Sequence, residues 1–169
     1  ASYNCLQKNI KEGLGNKIAI VYVDKSGLFQ ELTYCELENL VDHFINYLLN
    51  NFTKKELLSN IIAIHSSANI ISSISMLACA KLGITHCVLF EDLSKEAIQI
   101  RLKLLKAKII ITAADIETYN LKIKSQKKIK KITFFQKSNK SKNQFNIDIK
   151  KFLLKKNLNL FRYQYEKVI

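Results

Sequence analysis

Three short apolar runs, Asn60–His65 (NIIAIH), Ile84–Phe90 (ITHCVLF) and Lys108–Thr112 (KIIIT), are separated by two stretches with helical spacing. Nothing else in the chain restricts its fold as strongly. The runs are continuous rather than alternating, as strands are when both faces of a sheet are covered. Between the first two, Ala68–Leu82 is apolar on most faces and ends at Gly83, a residue suited to the left-handed position that closes a helix. Ser94 caps the next helix, which runs to about Lys106, and Glu96 lies in its first turn, where the helix dipole favours an acid. Strand, helix, strand, helix, strand with short links implies right-handed crossovers and a parallel sheet with helices on its faces. The fold class is therefore α/β, a sheet built from βαβαβ units.

A β-hairpin precedes this unit. Lys17–Val23 (KIAIVYV) and Phe29–Thr33 are two short runs rich in strand formers, and Asp24–Leu28 between them holds the turn pair Ser26-Gly27. Thr33-Tyr34-Cys35-Glu36 then has the form of a capping box, with Thr33 as N-cap. Leu37, Leu40, Val41, Phe44, Ile45 and Leu48 follow at helical spacing and give an amphipathic helix of roughly four turns.

The charge is unevenly placed. All of the net +13 falls in residues 121–169, where fifteen basic residues face only Asp148 and Glu166. Residues 1–120 sum to zero, so a boundary is expected near Asn120. Residues 1–120 form the α/β portion. Residues 121–169 are a Lys-rich continuation with a strand at Ile129–Phe135, a polar link at Lys137–Asn146 and a helix at Ile147–Lys156. Lys outnumbers Arg 25 to 2, and Arg is the residue that reads phosphates and guanines with two bonds at once. Lys travels here with many Ile and Asn and with no Pro, which points to nucleotide bias and a solvated face rather than a specific nucleic-acid partner. A rival reading is a Lys-rich tail whose aromatics, Phe134, Phe135, Phe145, Phe152, Phe161, Tyr163 and Tyr165, stack on single strands.

Other classes are excluded by what the residues do not form. The longest apolar candidate for a membrane span, Asn69–Leu82, is interrupted by Ser72, Ser73 and Ser75. Ala1–Ile10 has no apolar core of a secretory signal. Cys5, Cys35, Cys79 and Cys87 have irregular spacings, against both a disulfide scaffold and a zinc module. The expected location is cytoplasmic, with the nucleus as an alternative. None of Gly13, Gly15, Gly27 and Gly83 belongs to a phosphate-binding loop. His43, His65 and His86 are too scattered for a metal set. His43 is read as solvated and His86 as a satisfied core histidine. His65 ends a strand, where α/β sites tend to lie, but a structural role is the simpler reading.

Several stretches resemble the acetyl-CoA synthetases, the short-chain acyl branch of the adenylate-forming enzymes. Ser2-Tyr3-Asn4-Cys5-Leu6 looks like that family's SYNCL segment, and Gly15–Ile20 looks like the strand that follows it. Leu32–Leu37 resembles an LTY-x-EL motif, and Met76–His86 is close to MLACARIGA-x-H. Phe90, Ser94, Glu96-Ala97 and Arg101 fit F-GGFS-x-EA-x-x-x-R, and Lys108–Ala113 resembles an AKVVITAD strand. The matches occur in order across residues 2–115.

The resemblance implies the N-terminal portion of an acetate–CoA ligase, part of the large domain of an adenylate-forming enzyme. Such an enzyme joins acetate to CoA through an acetyl-adenylate, with ATP, CoA and magnesium as cofactors and substrates. It implies no catalytic and no metal-binding residue in this stretch, whose partner is the remainder of its own polypeptide and whose role is structural. The cofactor contacts it implies are Phe90, Glu91, Asp92 and Lys122, along one wall of the CoA channel. The family has Gly-Gly where this chain has Glu91-Asp92, and carboxylates there would repel CoA phosphates. The same acids also precede the Ser94 cap, where the helix dipole suits them. With Ala114 as an insertion, Lys122 falls on the last basic position of an R-x-x-[RK] run, and Tyr119 stands where the family has Arg. His65 and Ser66-Ser67 replace a Tyr-Met-Pro stretch. A non-catalytic relative that keeps the fold for partner contacts is a further alternative.

Overall fold

The computed structural model describes residues 1–23, 27, 29–113, 121–122 and 129–133. Short helical turns open the chain at Ser2–Cys5 (α1), Gln7–Asn9 (α2) and Ile10–Leu14, the last kinked at Gly13, whose φ of 83° is left-handed. Strands Ile18–Val23 (β1) and Phe29–Thr33 (β2) pair antiparallel as the expected hairpin, with an irregularity in register between Ile18 and Ile20.

The expected capping box is present. Thr33 Oγ1 accepts from the Glu36 backbone N–H, and the Glu36 carboxylate accepts from the Thr33 N–H at 2.8 Å. It starts a long helix, Tyr34–Asn51 (α3), whose buried stripe is the six apolar residues picked out by spacing, Leu37 to Leu48. A short helix, Lys54–Leu58 (α4), follows behind a second box formed by Thr53 and Glu56.

Four parallel strands form the sheet: Ile62–His65 (β3), His86–Leu89 (β4), Ile109–Thr112 (β5) and Lys130–Thr133 (β6), in the order β4-β3-β5-β6. Helix Ile70–Leu82 (α5) joins β3 to β4, and helix Lys95–Leu105 (α6) joins β4 to β5. The βαβαβ unit thus stands as read from the residues, and the expected strand after residue 120 adds to the same sheet through β6. Phe134, Phe135, the Lys137–Asn146 link and the Ile147–Lys156 helix lie outside the described residues.

The two helices cover opposite faces. Ile62, Ile64, Ile109 and Ile111 pack with α3 and the Ile74, Ala78 and Cys79 side of α5. Ala63, Leu89 and Ile110 pack with Ile98 and Leu102 of α6. Alternate residues of β3 and β5 therefore serve two cores, which explains why those runs read as apolar throughout. β4 departs from expectation. It is a sheet edge, shorter than the run Ile84–Phe90, and His86 is half-buried rather than a core residue, with Nδ1 3.4 Å from the Ile84 carbonyl. His43 is also only partly exposed, and its Nδ1 donates to the Asn39 carbonyl at 2.6 Å.

Candidate functional site

The strand order places one feature of the molecule at the carboxyl end of the sheet. The link after β3 runs to α5 on one face, and the link after the neighbouring strand β4 runs to α6 on the other. The two links diverge to opposite faces, and by the general rule for open α/β sheets such a divergence marks the crevice where ligands bind.

The walls of this crevice follow from local sequence. On the β4 side, Phe90–Leu93 makes a tight turn in which the Leu93 N–H donates to the Phe90 carbonyl at 3.3 Å. Ser94 then caps α6 by accepting from the Ala97 N–H. Within the turn, Phe90 is 72% exposed, Asp92 is exposed and Glu91 is half-buried. On the β3 side, Ser66 is buried and Asn69 caps α5, accepting from the Ser72 N–H at 2.9 Å. Two serines and an asparagine there satisfy one another and the start of α5 through short bonds.

Lys122 reaches the same crevice from beyond β5. Its ammonium donates to the Glu91 backbone carbonyl at 2.8 Å. Two of the four residues implied by the resemblance, Glu91 and Lys122, are thus in direct contact, and Phe90 and Asp92 flank the contact in the turn. The bond engages the backbone of Glu91 and not its carboxylate.

Beneath the crevice lies His65, the last residue of β3. It is fully buried and pairs in register with Leu89 of β4 and Thr112 of β5. Its Nδ1 lies 3.3 Å from the Thr112 hydroxyl, itself fully buried. Burial, and then the positive charge of Lys122, push the imidazole down to about 4, so it is neutral at pH 7. Its Nε2 has no hydrogen-bond partner among the described residues. Thr112 was not singled out by sequence reasoning. The available signal was a lone hydroxyl ending an otherwise apolar strand, in register with a strand-end histidine.

At the opposite, amino end of the sheet, a groove of about 320 Å³ is lined by Lys55, Glu56, Asn60, Lys108 and Lys130 among others. Lys130 donates to Glu56 at 2.9 Å. That bond, followed by those from the Thr53 backbone and hydroxyl, holds the exposed Glu56 carboxyl at about 2.

Comparison with known proteins fixes the family. The model of the AMP-binding enzyme family matches residues 6–159. The chain belongs to the AMP-binding enzymes. Among AMP-binding enzymes of known name, it is 36% identical over 113 residues to the acetyl-coenzyme A synthetase of Cupriavidus metallidurans, covering 67% of this chain and 17% of that protein. It is 36% identical over 125 residues to the chloroplastic/glyoxysomal acetyl-coenzyme A synthetase of Arabidopsis thaliana, covering 71% of this chain and 16% of the other. The chain therefore spans only about a sixth of the length of these curated relatives. The crystal structure of Brucella canis acyl-CoA synthetase superposes with a TM-score of 0.73 over 90% of this chain and 27% of its own, at 16% sequence identity. That likeness carries the α/β fold, and the sequence relatives carry the acetyl-CoA synthetase resemblance.

Among the described residues, no group of His, Cys, Asp and Glu side chains converges to hold a metal ion, and no helix is long and apolar enough to cross a membrane. The described crevice brings one ammonium together with a turn that carries two carboxylates. By itself this does not fit the phosphates of a nucleotide.

Proposed function

We propose that this chain is the N-terminal portion of an AMP-forming acetate–CoA ligase. In such an enzyme acetate attacks ATP to give acetyl-adenylate and pyrophosphate. The CoA thiol then attacks the acetyl carbonyl, and AMP leaves. The observation that carries the reading is the 36% identity to acetyl-coenzyme A synthetases over a stretch that includes the whole βαβαβ unit.

The reading gives the described residues a structural part. They supply a block of the large domain's sheet, and the Phe90–Leu93 turn with Lys122 forms one wall of the CoA channel. On this reading ATP and magnesium are held by the remainder of the polypeptide. No step of either half-reaction is assigned to a side chain of this chain. Acetate, ATP and CoA are then the small-molecule partners, and the rest of the same polypeptide is the macromolecular one.

The test is pyrophosphate release from acetate, ATP and magnesium, measured for the 169-residue chain and for the longer polypeptide that contains it. The expected result is activity in the longer protein, enhanced turnover on adding CoA, and none in the chain alone. Release by the chain alone that disappears on changing one of its residues overturns the structural reading. A longer protein that binds neither ATP nor CoA favours the non-catalytic relative.

A further inference from the structure

The groove at the amino end of the sheet has no part in the proposed chemistry, and it gathers charge of one sign. Three segments meet there. α4 and the link after it supply Lys55, Glu56 and Asn60, the approach to β5 supplies Lys108 and Ile109, and β6 supplies Lys130. Ile109 pairs with Lys130 in the parallel ladder, and the Lys130 N–H donates to the Lys108 carbonyl at 2.8 Å. The backbones that carry these two lysines are thus fixed to each other by the sheet.

One of the ammonium groups is held in place from two sides. Lys130 donates to the Glu56 carboxylate at 2.9 Å and stands 5.3 Å from the centre of the buried Phe52 ring. The other Glu56 oxygen accepts from the Thr53 N–H and hydroxyl, each at 3.0 Å, so the start of α4 keeps Glu56 where it is. An acidic oxygen is therefore already received at Lys130. Lys55 and Lys108 have no such partner among the described residues. Glu56 is the one acid among the described residues of the lining, which leaves the groove with two positive charges in excess. Its volume, about 320 Å³, lies at the small end of the range of small-molecule sites. Ammonium groups suit phosphate oxygens as compact charges, whereas two-bond recognition of a planar carboxylate is the work of arginine.

We infer that the groove between α4 and the amino ends of β5 and β6 binds a small phosphate-bearing anion, an ester or anhydride with at least two negative charges, through Lys55, Lys108 and Lys130. Glu56 limits the affinity. It competes with the ligand for Lys130 and repels it across the groove. A lysine face that is merely solvated has no such competitor to relieve. The inference does not rest on the ligase reading, because the groove lies at the other end of the sheet from the crevice and every residue it uses belongs to this chain.

The experiment titrates the 169-residue chain with pyrophosphate at constant ionic strength and follows the Asn60 and Ile109 amides by NMR. Saturable shifts are expected, weaker as salt is raised. Lys55→Met and Lys108→Met should each weaken binding by roughly threefold to fivefold, about what one charge is worth a few ångströms away in solvent. Lys17→Met, at an exposed position outside the groove, should leave it unchanged. Glu56→Gln separates a site from a solvated face. Glutamine still serves the Thr53 cap, but it removes the competing charge and frees Lys130, so binding should tighten by about threefold. Shifts that do not saturate overturn the inference, as do equal losses in Lys17→Met and Lys108→Met, or binding that fails to tighten in Glu56→Gln. In the longer polypeptide, pyrophosphate should slow chemical acetylation of Lys55 and Lys108 but not of Lys17, as mapped by peptide mass spectrometry. Lys55 and Lys108 that react there at the same rate with and without pyrophosphate also overturn it.

Discussion

The ammonium of Lys122 sits 2.8 Å from the backbone carbonyl of Glu91, 31 residues earlier in the chain. This one bond ties the segment beyond β5 to the turn between β4 and α6, across the carboxyl end of the sheet. A charged donor on a half-buried carbonyl is stronger than a neutral pair but is weakened by solvent at the rim. Lys122→Met should therefore cost roughly 1 kcal/mol, or about 2–4 °C in melting temperature for a chain of this size. Lys17→Met, at an exposed position, should stay within about 0.5 kcal/mol of wild type. Equal melting temperatures for the two variants would show that the bond carries no stability.

A second tie joins α3 to α5. Lys81 donates to Glu38 at 2.5 Å and to Asp42 at 2.6 Å. The side chain of Glu38 is only 14% exposed, and its other carboxylate oxygen has no partner among the described residues. Burial works against the Lys81 charge, but the bonds to Asp42 and Glu38 outweigh it and leave the ammonium raised. Removing the lysine strands a part-buried carboxylate, which costs more than the pair contributes. Lys81→Met should lower stability by roughly 2 kcal/mol, and adding Glu38→Gln should recover about half of that. Urea unfolding of both single variants and the double variant is the measurement, and strict additivity would refute the coupling.

The parts of the fold that were legible from sequence are those in which local and global signals agree. Asn60–His65 and Lys108–Thr112 are apolar at every position because β3 and β5 face a helix on each side. The Thr33–Glu36 box and Gly83, at φ 71°, mark helix ends by chemistry that needs no tertiary context. α4 escaped notice because its Thr53–Glu56 box leads into barely one turn, too short for a period to show. His86 was misplaced because an edge strand next to a buried one carries the same apolar run. At the site, the resemblance named Glu91 and Lys122 separately. Their contact, and the pairing of His65 with Thr112, depend on strand register and on residues far apart in sequence, which no local pattern encodes.

Gly15 offers a packing test near the hairpin. Its backbone, at φ −53° and ψ −36°, is open to any residue, so its lack of a side chain is not a matter of conformation. A methyl group there would lie 2.6 Å from the Cys35 sulfur. Cys35 is itself tied to the same place, its N–H donating to the Gly15 carbonyl at 3.0 Å. Gly15→Ala should cost about 1–2 kcal/mol through overpacking. In a Cys35→Ala background the same change should be neutral or slightly stabilising, since alanine restricts the unfolded chain. Thermal melts of the four proteins decide it, and an equal penalty in both backgrounds would assign the cost elsewhere.

The depressed His65 makes stability depend on pH in a set direction. Its ordinary value is 6.5 and the folded value is about 4, so between these the unfolded chain binds the proton and the folded chain does not. Stability is unaffected by this residue above pH 6.5 and is lost as pH falls from there toward 4. The slope approaches about 1.4 kcal/mol per pH unit, with a total of roughly 3 kcal/mol. His65→Gln should flatten this part of the curve while keeping a hydrogen bond available to Thr112. Denaturant midpoints taken at half-unit steps of pH test it, and parallel curves for the two proteins would place the acid sensitivity in other groups.

Glu91 and Asp92 have separable effects in the longer protein. Both acids lie in a turn whose shape is kept by the Leu93-to-Phe90 backbone bond and by the Ser94 cap. Lys122 holds the carbonyl of Glu91, not its carboxylate, so replacing both side chains with Gly leaves that bond possible. If the turn faces CoA, removing two negative charges should lower the Michaelis constant for CoA by up to about tenfold per charge. The constants for ATP and acetate should hardly move. An opposing effect arises in the chain itself. Two glycines widen the unfolded ensemble, and the start of α6 loses acids that its dipole favours, at roughly 1 kcal/mol of stability. The two consequences are read by different instruments, CoA kinetics for one and the melting temperature for the other. A double variant that melts lower with unchanged CoA kinetics makes these acids a helix-end device and takes the turn out of the CoA channel. A lower constant for CoA keeps it there and identifies Glu91 and Asp92 as the residues that weaken CoA binding in this member of the family.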